Sequence, residues 1–501
     1  MDMRNIVRTL RPLALYALTL VLAGGCGVSS RQSGTGSSKG PKTVTILSVN
    51  DMHASLDRLP RLAFMADSLR ALYPSLLLVS AGDNQTGNPA NDMYEPTGFP
   101  MIDLMNDLGF EVSAVGNHEF DSGVLGFEYL SQQARFPFIS ANVTKPLGSP
   151  LRLFPYFVLT TKEGTRVTFF SLLDVVPETG HPASHPDKMK GFTFVEPLSL
   201  ARKYDREAMS TDIPIYLTHL GFEIDKKLAD RLDPALYPLI IGGHSHTFVT
   251  KGTTENGVYI TQAQSNLKYA TLIHIQKDTR GHYDIWSDNL PIDPKGAEDP
   301  EIRRKVDEYL DNPALHRVVG RLSAPLKDKE QIGCLFTDAL RDASGADFAL
   351  ANGGGIRVDR IPQGEVEVRD IYAADPFGNE GLVYDLTGRQ IIDLLRAHWE
   401  GDKYKICYAS GLRIDYEAEH FGQKDEELDI ELYDLEGRPL DLDKVYSVAM
   451  NNYLSTTFLP ASLPFRGLFA PTAEITLQYI SKLKTVPSYD GQKRVTFEHD
   501  D

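Results

Sequence analysis

Cysteine is scarce in this chain. Its 501 residues include three, at positions 26, 334 and 407, so any metal site here is not built on a cluster of thiolates. Basic charge is short as well. The formal net charge of −17 excludes a nucleic-acid polymer as partner, because binding a phosphate backbone needs a basic face. A small anionic substrate stays open, since bound metal ions invert the local field. The one long apolar run, Leu13 to Ala23, is too short to span a bilayer. No internal repeat and no heptad run is present. The glycine-rich "GTGSSKG" has neither the order of a phosphate-binding loop nor a strand before it.

What is present is organised. At this length a single core is implausible and two domains are expected, and 42% apolar with 24% charged residues suits a soluble globular chain. The N-terminus carries Arg4, Arg8 and Arg11 ahead of the apolar run, the layout of a secretory signal over residues 1–25. The run ends in Leu22-Ala23-Gly24-Gly25-Cys26, which resembles a bacterial lipobox with Ala23 where leucine is usual. The expectation is an exported protein of the cell envelope, held to a membrane by a lipid on Cys26 and facing the periplasm or the cell surface. Ordinary signal cleavage near the small residues is the alternative. Residues 26–42 are rich in Gly and Ser and read as a flexible tether. Cys334 and Cys407 either pair or are two buried thiols, and spacing alone does not choose.

From residue 43 short apolar runs recur: "VTILSV" (44–49), "SLLLVSA" (75–81), "VSAV" (112–115), "PIYLT" (214–218), "PLIIGG" (238–243) and "VYITQ" (258–262). Such runs suit strands buried on both faces. Amphipathic stretches at 59–72 and 98–109 lie between them, with Gly109 as a stop signal, so an α/β layered domain is expected. "DPEIRRKVDEYLDN" (299–312) reads as an interdomain helix, and a second α/β region follows, with its clearest helix at 387–400.

The polar residues gather where those strands end. Asn50, Asp51 and His53 follow the first run, and Gly82, Asp83 and Asn84 the second. Asn117, His118, Glu119 and Asp121 follow the third, His219 the fourth, and His244 with His246 the fifth. In α/β sheets the C-terminal strand edge is where ligands bind. Imidazole, carboxylate and one amide oxygen suit Zn, Mn, Fe or Co. Seven candidate ligands exceed one tetrahedral ion and fit two ions about 3.5–4 Å apart sharing a carboxylate. Each piece alone is weak, since a single histidine after a strand is more often a hydrogen-bonded core or surface residue. The pattern at five successive strand ends is not. "HEFDS" begins like a zincin motif, but Ser122 stands where the second histidine is needed.

In order and spacing, "NDMH", "GDN", "GNHEFD", "THLG" and "GGHSH" resemble the calcineurin-like metallophosphoesterases. "NGGGIR" (352–357) and "DPFGN" (375–379) resemble the C-terminal domain of the bacterial 5′-nucleotidase/UDP-sugar hydrolase family. The resemblance implies a four-layer αββα sandwich over 43–296, a linker helix over 297–314 and an α/β substrate-binding domain over 315–496. It implies two divalent ions, one on Asp51, His53, Asp83 and His246, the other on Asp83, Asn117, His219 and His244. A water bridging them would attack phosphorus in line. It gives His118 the transition state and leaving oxygen, and Asp121 the task of orienting His118. It gives Arg357 the substrate phosphate, Phe377 and Tyr453 the two faces of a nucleobase, and Asn352 and Asn379 the base or its surroundings. Core packing is the plainer reading of Phe377 and Tyr453. Glu119 receives no chemistry and reads as a helix-start or loop carboxylate.

Three departures bear on substrate. The family's aspartate loop after the second plate is replaced by Ser455-Thr456-Thr457-Phe458-Leu459. A family arginine before "EQIGCLF" is missing, with Lys327 and Lys329 nearby, and Cys334 stands where the family commonly has Asn. The expected activity is 5′-nucleotidase. The alternatives are a 2′,3′-cyclic phosphodiesterase, a nucleotide-sugar pyrophosphatase or another ester hydrolase of this fold, and, from a different class, a surface-binding lipoprotein without catalysis.

Overall fold

A computed structural model describes residues 41–499 apart from 178, 402–404, 422, 424, 425, 461 and 462. The signal segment, Cys26 and most of the tether lie outside the described residues. Lys42, assigned to the tether from composition, already belongs to the first strand.

Strand β1 (Lys42–Val49) is followed by α1 (Leu59–Leu72), β2 (Leu77–Ser80), α2 (Phe99–Leu108), β3 (Val112–Ala114), α3 (Gly123–Gln133), β4 (Phe138–Ile139) and β5 (Leu153–Phe154). The five strands lie side by side and parallel, with Ile46 opposite Leu77, Val79 opposite Val112 and Ser113 opposite Phe138. The chain then builds a second sheet from β6 (Tyr156–Thr160), β7 (Arg166–Phe170), β8 (Ile213–Leu217), β9 (Leu239–Ile241), β10 (Thr253–Glu255) and β11 (Val258–Thr261), with α4 (Phe222–Ala229) between β8 and β9. It returns to the first sheet with β12 (Tyr269–Lys277), antiparallel to β1, and β13 (Tyr283–Pro291) at the edge. The sheet orders are β13-β12-β1-β2-β3-β4-β5 and β10-β11-β9-β8-β7-β6.

Period-two alternation explains the layering. On β1, Val44 and Ile46 meet Val167, Phe169, Ile213 and Ile215 between the sheets, whereas Leu47 and Val49 meet Leu62, Leu69 and Met105 of α1 and α2. On the far side, Tyr216 and Ile240 pack with Leu228 and Ala229 of α4. The result is a helix–sheet–sheet–helix sandwich. Each fully buried Leu or Ile contributes roughly 1.5–3 kcal/mol relative to exposure. Because both sheets are covered on both faces, their strands read as unbroken apolar runs.

Helix α5 (Pro300–Leu310) starts at Asp299, whose carboxylate accepts from the Glu301 and Ile302 amides. Its apolar stripe, Ile302 and Val306, joins the core under α1 and α2, and Lys305 pairs with Asp103 and Asp107. This helix is therefore docked on the first domain, and the chain crosses to the second between Leu315 and Val318.

The second domain contains β14 (Val318–Leu322), α6 (Lys329–Ser344), β15 (Phe348–Asn352), β16 (Gly364–Glu367), α7 (Val368–Ala374), β17 (Glu380–Thr387), α8 (Gly388–Gly401), β18 (Cys407–Ser410), β19 (Arg413–Glu419), β20 (Glu427–Tyr433), β21 (Val445–Asn451), α9 (Asn452–Phe458), β22 (Phe465–Pro471), α10 (Thr472–Leu483), β23 (Thr485–Val486) and β24 (Val495–His499). Its main sheet has the order β18-β15-β21-β17-β22, flanked by two three-stranded sheets, β16-β14-β23 and β20-β19-β24. Cys334 and Cys407 are buried, unpaired thiols, and burial pushes that of Cys334 up to about 12.

Candidate metal centre and substrate pocket

The loops leaving β1, β2, β3, β8 and β9 converge at one end of the sandwich. The β1 loop is tied to the β2 loop by the Asp51 amide to the Gly82 carbonyl and the His53 amide to the Asp83 carbonyl, both 3.0 Å. The β9 loop is tied to the β1 loop by the His244 amide, which donates to both Asp51 carboxylate oxygens at 2.9 and 3.1 Å. Asp51, His53, Asp83, His244 and His246 all take positive φ, between 45° and 78°. Non-glycine residues adopt that region at a cost of order 1 kcal/mol or more each, and such strain concentrates at functional sites. Gly116 is required by contact: a Cβ there would lie 2.2 Å from an Asp83 carboxylate oxygen.

Three sets of ligand atoms result, each within 4.8 Å of one another: Asp51, His53 and His246; Asp83, His219 and His244; and, joining them, His53, Asp83 and His118. The tautomers suit ligation. His219 Nδ1 donates to the Ala81 carbonyl at 2.7 Å and His53 Nδ1 to that of Thr86 at 3.2 Å, so each Nε2 lone pair faces the centre. Two observations call for a cation. The Nε2 atoms of His53 and His246 face each other at 3.0 Å. The buried Asn117 Oδ1 has no hydrogen-bond partner, while Asn117 Nδ2 is fixed on the Ala183 carbonyl at 3.1 Å and His219 Nε2 lies 3.1 Å from Asp83 Oδ2. Carboxylates, imidazoles and one amide oxygen around orphaned lone pairs fit divalent metal ions. Burial opposes charge on His219, but Asp83 and Asp51 outweigh it and raise its pKa to about 10, which reports the negative field of the site.

His118 lies beside this cluster. Its Nδ1 is 2.7 Å from Asp121 Oδ2, and its Nε2 is 3.9 Å from Asp83. Asp121 is itself held by the Thr86 and Ser184 hydroxyls at 2.8 and 3.1 Å. Burial favours neutral His118, but Asp83 and Asp121 outweigh it and raise its pKa.

Glu119, expected as a helix-start or loop carboxylate without chemistry, sits at such a start and has a structural task there. Glu119 is buried in the short turn His118–Phe120. One carboxylate oxygen accepts from the Gly116 and Asp83 amides at 2.6 and 3.1 Å. The other accepts from the Asn84 amide and side chain at 2.9 and 3.0 Å. It fastens the β2 and β3 loops together directly under Asp83. Burial, followed by the Asp83 charge, pushes its pKa up to about 7.

A cavity of about 240 Å³ opens from the cluster towards the second domain, lined by His118, Asp121, Asn352, Arg357, Phe377, Asn379 and Tyr453 among others. Arg357 lies 3.2 Å from His53 Nε2, with its guanidinium 5.6 Å from the centre of the Phe377 ring. Phe377 also stacks on His118, with ring centres 5.6 Å apart. Asn352 Oδ1 accepts from Asn451 at 2.9 Å. Neither Lys327 nor Lys329 lines the cavity. They pair with Asp490 and Asp359.

Sequence reasoning passed over the segment from Ala183 to Lys188. It supplies the carbonyl that orients Asn117, the hydroxyl on Asp121 and a lysine whose Nζ donates to the Phe377 carbonyl at 2.7 Å. The only signal was its position between two strands, in a stretch with no periodicity. Asp174, another cavity residue, lies 3.5 Å from His244 Nε2.

Comparison with known proteins decides the family. Residues 44–248 match the calcineurin-like phosphoesterase model and residues 317–458 match the 5′-nucleotidase C-terminal domain. The chain belongs to the calcineurin-like phosphoesterases that carry a 5′-nucleotidase C-terminal domain. It is 27% identical over 468 residues to the trifunctional nucleotide phosphoesterase protein YfkN of Bacillus subtilis, an alignment covering 82% of this chain but 32% of YfkN. It thus spans about a third of that relative. Protein UshA of Escherichia coli is 26% identical over 486 residues, covering 82% of this chain and 85% of UshA. The crystal structure of a 5′-nucleotidase precursor from Thermus thermophilus superposes on the phosphoesterase with a TM-score of 0.79 and 26% identity, covering 92% of this chain and 100% of that one.

Proposed function

We propose that this phosphoesterase is an exported 5′-nucleotidase that uses two divalent metal ions to release phosphate from nucleoside monophosphates. The observation that carries the reading is the continuity of one cavity from the orphaned Asn117 and the Asp/His cluster to Arg357, Phe377, Asn379 and Tyr453. Asp51, His53, Asp83 and His246 would hold one ion, and Asp83, Asn117, His219 and His244 the other. Bound ions supply charge neutralisation at the phosphoryl oxygens and a nucleophile at neutral pH. The chain does the rest. Arg357 binds phosphate oxygens through its planar fork. Asp121 holds the proton on His118 Nδ1, so Nε2 faces the reacting group and delivers its own proton to the leaving oxygen. Phe377 and Tyr453 supply aromatic faces for the base, and Asn352 and Asn379 amide groups for its edge. Export and the lipid on Cys26 rest on the N-terminal sequence. No helix among the described residues is long and apolar enough to cross a membrane.

A second reading, hydrolysis of cyclic nucleotides or nucleotide sugars, is favoured by the absent ribose carboxylate. Thr456 Oγ1 is spent on the Asn452 carbonyl within α9. The test is a metal-supplemented comparison of AMP, 2′,3′-cyclic AMP and UDP-glucose. The first reading predicts the highest kcat/KM on AMP. A higher value on either other substrate replaces it with the second.

A further inference from the structure

His185 is among the residues that line the cavity, next to Ser184, whose hydroxyl holds Asp121. It is 9% exposed, and its Nδ1 accepts from the Asp187 amide at 3.2 Å. That bond fixes the proton of the neutral ring on Nε2. Nε2 is buried and has no hydrogen-bond partner. A buried N–H without an acceptor is costly, so such groups are retained where a ligand completes them. Burial, outweighing Asp187, lowers the pKa of the ring and keeps it a neutral donor.

We infer that His185 Nε2–H is a specificity-determining donor that binds an acceptor atom on the leaving group of the substrate, the sugar-bearing part beyond the scissile P–O bond. Three observations place the contact there. Asp121, the partner of His118, is held by the residue immediately before His185. Lys188, in the short turn that His185 caps, donates to the Phe377 carbonyl, so the segment that carries His185 is tied both to Asp121 and to the aromatic wall. Residues 455–459, which follow Tyr453 of the cavity wall, carry no carboxylate, so a polar leaving group there needs another partner. A neutral donor selects differently from a carboxylate. It donates to any oxygen or nitrogen acceptor, and it gains little from a purely hydrocarbon leaving group.

The inference rests on the phosphomonoesterase reading, and its test separates the two. Steady-state kinetics are measured for the wild type, His185→Ala and His185→Asn on phenyl phosphate, ribose 5-phosphate and AMP. His185→Ala is expected to lose about tenfold more kcat/KM on ribose 5-phosphate and AMP than on phenyl phosphate, chiefly through KM. His185→Asn, which keeps an N–H donor, is expected to recover part of that difference. An equal loss on all three substrates, or no loss, overturns the role of His185. A wild type that does not prefer AMP to ribose 5-phosphate contradicts the nucleotide reading instead, and the comparison of ribose 5-phosphate with phenyl phosphate still decides His185.

Discussion

His118 and Glu119 are neighbours in sequence with opposite tasks. His118 faces the cavity and is steered by Asp121, whereas Glu119 turns inward and binds four N–H groups from two loops. His118→Ala is therefore expected to lower kcat by about 100-fold or more. Its metal content should stay unchanged, as measured by steady-state kinetics and elemental analysis. Glu119→Gln must turn an amide NH₂ towards one pair of N–H donors, which costs about 1–3 kcal/mol per group left unpaired. Chemical denaturation should show that loss, together with weaker metal retention, because the amide of Asp83 is among the donors. Sequence pattern made His118 legible because its motif is contiguous. Glu119 was not legible, because its partners Asp83 and Asn84 lie more than thirty residues away and three of its four donors are backbone amides, which carry no sequence signature.

At the scale of elements, the central strands announce themselves because both faces are buried. The edge strand β13 does not, since it alternates polar and apolar residues and is half exposed. The loops that carry the Asp/His cluster were findable from Asp, His and Asn at strand ends, but their positive-φ geometry and mutual ties were not. The joint that carries Phe377 has its own titration. Asp375 is buried between α7 and α10 and accepts the Thr472 hydroxyl. Burial pushes its pKa up to about 6. A carboxyl raised above its unfolded value near ~3.9 stabilises fully below that pH and loses the contribution as pH rises through about 6. Asp375→Asn lacks this loss. Relative to the wild type its stability should therefore improve between about pH 4 and 7 by about 2–3 kcal/mol, read from paired melting curves.

For the whole molecule, the two domains share one cavity, and neither holds all of its walls. The first contributes the Asp/His cluster and His118, and the second Arg357, Phe377, Asn379 and Tyr453. Helix α5, expected from its polar sequence to be a linker between domains, is docked on the first through Ile302 and Val306, so its place in the fold depends on a narrow apolar stripe that a mostly charged stretch conceals. The central claim is that the strand-end cluster holds two ions on which hydrolysis depends. It is tested most directly by stripping the purified protein with a chelator and titrating Mn²⁺ back, while bound metal and phosphate release from AMP are followed together. The account predicts negligible release from the stripped protein, two ions bound per chain and full activity only when both are in place. Full activity in the metal-free protein, or saturation at a single ion, would contradict it.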